Sequence, residues 1–118
     1  MKILSIDIET FSDIDLGKCG VYRYTDSPNF DILLFAYSID EGPVQLIDLA
    51  SGEEIPEEIV EAILSEDIIK TAFNANFERV ALMRYLSRKL DKEVYLNPSS
   101  WRCSEVQAAM LGLPLHLE

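Results

Sequence analysis

The sequence predicts an α/β domain in which helices pack on a mixed β-sheet. Three short apolar runs rich in β-branched residues come first in the chain, and they predict three strands. A further strand-like run at 67–73 leads directly into a helical pattern, which is typical of α/β proteins. Because a length of 118 residues fits one domain, we expect residues 1–118 to form a single domain.

The first half of the chain predicts strands separated by one long connection. Residues 2–8 form the first apolar run, and residues 30–39 and 44–49 form two more, joined by the turn-forming residues 40–43. We therefore expect an antiparallel hairpin beside the first strand. Residues 10–29 contain several Ser, Asp, Gly and Pro residues, and they predict a long connection with little regular structure.

The second half predicts alternating helices and strands. Pro56 stands where a helix can begin, and Ile59 and Ile63 then share one face of that helix. Asn74 is a typical cap for another helix, which follows the strand at 67–73. The remaining predicted elements are a short strand at 94–96 and a third helix at 100–111.

The charge of the chain is unevenly distributed. Its formal net charge is -11, and nine acidic residues between positions 41 and 67 account for most of it. A basic stretch follows at 79–92. Charged runs are usually solvated faces, so we interpret both stretches in that way. The net charge therefore does not exclude a nucleic-acid partner.

Two further features argue against other classes of protein. Cys19 and Cys103 are too isolated for a disulfide framework or a zinc site. No apolar stretch approaches the ~20 residues that span a bilayer, and the first residues do not form a cleavable leader. We therefore expect a cytoplasmic protein without a membrane partner.

Two carboxylates, Asp7 and Glu9, stand one residue apart at the end of the first predicted strand. Residues two apart in a strand point to the same face, so these like charges would lie side by side. A divalent cation with a preference for oxygen ligands would offset their repulsion. The alternative is that both acids project from the rim of the sheet into solvent.

A second group of polar residues lies at the junction of the strand at 67–73 and the helix that follows it. Glu78 falls in the first turn of that helix, where an acid can act as a metal ligand or simply interact favourably with the helix dipole. Asn74 either only caps the helix or also holds a substrate.

These residues resemble a known family. The segment 7–10, Asp-Ile-Glu-Thr, resembles the first motif of the DnaQ-like 3′-5′ exonucleases, which have a ribonuclease H-like fold. The segment 74–78, together with Leu82, resembles their second motif, an Asn, two residues, an aromatic residue and an acid. More narrowly, segments 19–24, 27–30 and 101–103, the last leading to 112–114, resemble the proofreading domain of phage-type family A DNA polymerases.

The resemblance implies a fold, an activity and a set of site residues. The fold would be a ribonuclease H-like mixed sheet with three antiparallel strands, then alternating helices and strands. The activity would be metal-dependent removal of nucleotides from single-stranded DNA 3′ ends, with two Mg or Mn ions and a polymerase domain in the same chain. The catalytic and metal-binding residues would be Asp7, Glu9 and Glu78. The substrate-binding residues would be Thr10, Phe11 and Asn74.

Within this resemblance, Asp7 would bridge both ions, Glu9 would bind one ion near the terminal 3′ hydroxyl, and Glu78 would bind the other. Two departures from the family pattern shape what we expect of the chain. The second motif usually ends in Asp where this chain has Glu78, and the third motif, a Tyr or His followed by Asp, has no match. We therefore expect an N-terminal fragment, truncated before the last helix, with little or no activity of its own.

Two alternatives remain open. One is a non-catalytic nucleic-acid-binding or structural module of the same fold. The other is an RNA exonuclease, because DNA and RNA exonucleases share these motifs.

Overall fold

A five-stranded mixed sheet forms the centre of the fold. The computed structural model describes residues 1–103, apart from the side chain of Cys19. The strands are β1 (Ile3–Phe11), β2 (Asp31–Ile39), β3 (Gln45–Asp48), β4 (Ile69–Ala72) and β5 (Trp101–Cys103). Their spatial order is β3-β2-β1-β4-β5. The first three strands pair antiparallel, and β4 and β5 continue the sheet in parallel from β1, so the predicted mixed sheet is confirmed.

Three helices connect these strands: α1 (Leu16–Asp26), α2 (Glu57–Leu64) and α3 (Ala75–Lys89). Short 3-10 turns lie at Leu49–Ser51 and Pro98–Ser100. Glu57 and Glu58 occupy the first turn of α2, where acids suit the helix dipole. Within residues 1–103, none of the helices combines the length and the hydropathy needed to cross a bilayer.

The two faces of the sheet differ because side chains alternate along each strand. Leu4 and Ile6 are buried on one face of β1, and the residues paired with them, Lys70 and Tyr37, are buried too. The helices contribute further buried members of the same apolar core, which include Ile59, Ile63, Leu82 and Leu86. The opposite face of β1 carries the polar side chains, which include Asp7 and Glu9.

Residues 10–29 differ from the prediction of an irregular connection. They contain the end of β1 and the helix α1. The carboxylate of Asp15 caps α1 by accepting a hydrogen bond from the backbone N–H of Gly17 at 2.9 Å. Gly20 has a φ of 81°, which an ordinary L residue rarely adopts, and it introduces a kink in the helix. The turn-forming residues therefore cap and bend a helix here, and the prediction was wrong.

The predictions for residues 94–103 also need correction. Residues 94–96 are not a strand, although Val94 and Leu96 are buried. Residues 101–103, predicted as part of a helix, form β5 because they pair in parallel with β4. The rest of that predicted helix, at 104–111, and His116 lie outside the described residues.

The basic stretch at 79–92 does more than face solvent. Arg84 forms an ion pair with Asp26, and Arg88 donates hydrogen bonds to the carbonyls of Ser27 at 2.7 Å and Phe30 at 2.9 Å. These contacts attach α3 to the end of α1 and to the connection between α1 and β2. The interpretation of this stretch as a merely solvated face was therefore incomplete.

Candidate active site

Asp7 and Glu9 lie on the same face of β1, and both are exposed. They pair with Ala36 and Leu34 of β2, and the register shifts between Glu9 and Thr10. Such a β-bulge bends a strand and re-aims the side chains next to it. Strand β1 therefore presents the two acids together just before the register of its pairing with β2 shifts.

Helix α3 brings Glu78 to the same end of the sheet. Strand β4 runs parallel to β1, and α3 begins soon after β4 ends. The side-chain oxygen of Asn74 accepts a hydrogen bond from the backbone N–H of Phe77 at 3.4 Å. The backbone carbonyl of Asn74 accepts a second hydrogen bond, from the backbone N–H of Glu78 at 3.2 Å. Asn74 thus caps α3 and fixes the turn that carries Glu78.

The carboxyl of Glu78 is buried without full hydrogen bonding. Glu78 is only 6% exposed, and its Oε2 atom has no hydrogen-bond partner among residues 1–103. Burial raises the pKa of Glu78 to about 7, and the charge of Asp7 adds to this rise, while the backbone amides of Glu78 and Asn74 oppose it. An acid that only complements the helix dipole needs no burial. The arrangement favours a positively charged partner at Glu78.

The donor set fits a hard divalent cation, because carboxylate oxygens are the ligands that Mg²⁺ and Mn²⁺ prefer. The structure places Glu78 near enough to Asp7 for their charges to interact, and Glu9 shares the face of Asp7. Within residues 1–103, however, no three acidic, histidine or cysteine side chains are grouped closely enough to hold an ion. The assignment of Asp7, Glu9 and Glu78 as ligands stays a prediction.

Tyr24 links the two elements that carry the acids. Its hydroxyl hydrogen-bonds Oγ1 of Thr10 at 2.9 Å, and its ring centroid lies 6.0 Å from that of Phe77, next to Glu78. Phe11 follows Thr10 and is 52% exposed. The sequence favoured core or loop packing for Tyr24 over a surface for base stacking, and the resemblance of segment 19–24 to the proofreading domain was the available signal for a role at the site.

A hydrogen-bonded clasp holds the segment after β1. The carboxylate of Asp13 accepts hydrogen bonds from the hydroxyl of Ser27 and from the side-chain amide of Asn29, and these bonds lower the pKa of Asp13. Nearby, the hydroxyl of Ser12 donates to the carbonyl of Tyr24 at 2.8 Å. These hydrogen bonds join the loop after β1 to the end of α1 and to the connection between α1 and β2.

The sequence has a curated relative that matches along its whole length. All 118 residues align, at 52% identity, with a DNA polymerase of Bacillus phage SP02. This chain is related to a phage DNA polymerase. It spans 17% of the length of that polymerase, so the relationship concerns one segment of the larger protein. A scan against protein-family models finds no match.

The fold of this polymerase-related domain is also found in solved nuclease structures. The Brucella melitensis NrnC structure matches with a TM-score of 0.59 at 16% identity, covering 92% of this chain and 44% of the other. A structure described as the apo form of the nuclease matches with a TM-score of 0.58 at 17% identity, covering 92% of this chain and 43% of the other. At these identities the likeness concerns the fold alone. The domain has the ribonuclease H-like fold, as predicted.

The substrate-binding predictions for the polymerase-related domain fall around the acids. Thr10 and Phe11 lie at the end of β1, where Thr10 is held by Tyr24. Asn74 is exposed at the start of α3 and caps that helix, as predicted. Its second predicted role, holding a substrate, stays a prediction. The six predicted residues therefore lie on two adjoining elements, β1 and the start of α3, while their roles toward a substrate stay predictions.

Proposed function

We propose that this domain is the 3′-5′ exonuclease of a DNA polymerase, and that it removes nucleotides from single-stranded DNA 3′ ends during proofreading. The similarity to a phage DNA polymerase over all 118 residues carries this proposal. The nuclease fold and the buried carboxyl of Glu78 beside Asp7 support it. Because its substrate would be the DNA copied by a phage-type polymerase, we also propose that it works in the cytoplasm.

The proposed cofactor is a pair of Mg²⁺ or Mn²⁺ ions held by Asp7, Glu9 and Glu78. One solved structure of the same fold is Brucella melitensis NrnC with bound Mg²⁺, with a TM-score of 0.59. When held by these acids, such ions would supply activation of a water and stabilisation of the leaving 3′ oxygen. The unpartnered Oε2 atom of Glu78 is the feature of this chain that best fits such a role.

The chain's own residues would bind and orient the DNA end. The exposed ring of Phe11 offers a surface on which the terminal base can stack, as aromatic residues do in single-strand binders. The bond from Tyr24 to Thr10 would keep the backbone before Phe11 in one position. Asn74 is exposed beside the acids, so its side-chain amide can donate to a phosphate oxygen.

The experiment measures release of nucleotides from a 3′-labelled single strand with Mg²⁺ or Mn²⁺. It compares the 118-residue chain with a version extended through the third motif, because that motif has no match in the 118 residues. We expect activity in the extended protein and little in the shorter one. In the extended protein, Asp7→Asn and Glu78→Gln should each lower the rate by more than about 100-fold, whereas Glu58→Gln, an exposed acid on α2, should not. An inactive extended protein, with its acids intact, would refute the proposal.

A non-catalytic DNA-binding module is the second candidate. It is favoured by the lack of a three-ligand group within residues 1–103. The same extended protein separates the two functions, because a module would retain a single strand without shortening it. A labelled RNA strand in a parallel reaction tests the RNA exonuclease alternative, since an RNA enzyme would cleave it at least as fast as DNA.

A further inference from the structure

A small cavity lies at the edge of the sheet, away from the predicted site acids Asp7, Glu9 and Glu78. It has a volume of about 90 Å³ and is lined by residues of α2, β4, β5 and their flanking segments, which include Ile63, Glu66, Lys70, Leu96, Ser100 and Trp101. Lys70 pairs with Leu4 near the beginning of β1, whereas Asp7 and Glu9 lie farther along that strand. The cavity is therefore separate from the proposed exonuclease site.

Lys70 brings a buried cation to this cavity. The residue is 1% exposed, and its ammonium donates a hydrogen bond to the carbonyl of Ser65. An ammonium has three N–H donors, and buried charges are normally paired. No ion pair to Lys70 forms within residues 1–103. Its Nζ atom lies 5.9 Å from the centroid of the Trp101 ring, which stabilises the cation only in part.

Trp101 adds a second donor that lacks an acceptor. The residue is 7% exposed, and its indole Nε1 has no hydrogen-bond partner among residues 1–103. Tryptophan N–H groups usually find a partner when they are buried. The cavity thus combines a buried cation, which donates one hydrogen bond to the carbonyl of Ser65 and forms no ion pair within residues 1–103, with an unpartnered indole N–H.

We propose that this cavity binds a small oxyanion of about the size of phosphate, held by Lys70 and Trp101. A cavity of about 90 Å³ accepts an anion of that size and is too small for a nucleotide. Charge-assisted hydrogen bonds from an ammonium to an oxyanion are stronger than neutral hydrogen bonds. The indole N–H would donate a further hydrogen bond to the anion from a different side. Glu66 is exposed and forms no ion pair with Lys70 within residues 1–103, so its charge weakens anion binding without filling the cavity.

The test uses Trp101 as its reporter, because it is the single tryptophan of the chain. The 118-residue protein is titrated with inorganic phosphate at pH 7 and constant ionic strength, while tryptophan fluorescence and melting temperature are recorded. We expect a saturable change in both signals. Parallel titrations with sulfate and acetate show whether the site takes oxyanions in general or phosphate selectively, and either result supports the proposal.

Matched variants separate a site from a general salt effect. Lys70→Met should raise the apparent Kd for phosphate at least about 10-fold, whereas Lys92→Met removes the same charge from an exposed residue and should leave it unchanged. Glu66→Gln should lower the Kd, because it removes a repulsive charge.

Three results would overturn the proposal. They are a change that does not saturate, a response that survives in Lys70→Met, and an equal loss in Lys92→Met. Water alone would then fill the cavity. If Lys70→Met does not fold, Trp101→Phe retains the cation and lacks the indole donor. Its melting temperature should then rise less with phosphate than that of the original protein, and an equal rise would refute the role of Trp101.

Discussion

Glu78 at the start of α3 and Asp7 on β1 lie close enough for their charges to interact. Burial raises the pKa of Glu78 to about 7, and the negative charge of Asp7 adds to that rise. The parallel pairing of β4 with β1 explains this proximity, because it sets the first turn of α3 beside the end of β1. This relationship distinguishes Glu78 from an ordinary first-turn acid, and it makes several predictions possible.

The first prediction concerns the free energy of unfolding without divalent ions. The pKa of Glu78 in the folded chain lies above its ordinary value of 4.5, so its protonated form stabilises the fold at low pH and this contribution is lost as pH rises through about 7. Glu78→Gln mimics the protonated form. In a chelator at pH 8 it should unfold with a free energy about 1–3 kcal/mol higher than the original chain, whereas the two should nearly agree at pH 5. Urea unfolding measures this, and parallel pH profiles would contradict it.

The second prediction concerns the addition of Mg²⁺ or Mn²⁺ at pH 8. A cation that binds only the folded chain raises its stability, by about 1.4 kcal/mol at a concentration ten times the Kd. We expect this rise in the original chain and its loss in Asp7→Asn. Glu58→Gln is the control, because that exposed acid lies on α2. Thermal unfolding with and without chelator provides the measurement, and an equal rise in all three proteins would indicate non-specific binding.

The third prediction concerns the bond between Tyr24 and Thr10. Tyr24→Phe retains the ring that packs near Phe77 and removes the hydroxyl that bonds Thr10 at 2.9 Å. The variant should lose about 0.5–1.5 kcal/mol of stability. Backbone amides at 10–12 should exchange hydrogen faster, because the loop after β1 loses one attachment. Tyr22→Phe is the control, since Tyr22 is 61% exposed, and faster exchange in both variants would contradict a specific role for Tyr24.

The fourth prediction concerns Lys70. Burial lowers the pKa of Lys70 from 10.5 to about 8, while the charge of Glu66 acts in the opposite direction. At a pH between about 8 and 10.5, Lys70 carries a proton in the unfolded chain and has lost it in the folded chain. The free energy of unfolding should therefore rise with pH over this range. Lys70→Met should remove this rise. Urea unfolding at several pH values from 7 to 10 gives the difference in free energy of unfolding between the original chain and Lys70→Met. Lys92→Met serves as the control.

Much of the sheet and of α2 and α3 could be predicted from the sequence because their signals are local. Apolar runs rich in β-branched residues indicated β1, β2 and β3, and the cap at Asn74 indicated the start of α3. The two-residue repeat of a strand was enough to place Asp7 and Glu9 on one face. In each case, the pattern and the structure that it predicts lie within a few neighbouring residues.

Other features depended on the tertiary structure. Strand β5 has three residues, and it forms because they pair with β4. Helix α1 lies in a stretch of turn-forming residues, and α3 holds its end through Arg84 and Arg88.

The sequence by itself determined which acids and which lysine the chain carries, and it determined the face of β1 on which Asp7 and Glu9 lie. Only the tertiary structure decided that Glu78 is buried beside Asp7 and that Lys70 is buried against Trp101. The physical reason is that burial, and the pKa shift that follows from it, depends on segments distant in sequence that pack around each group.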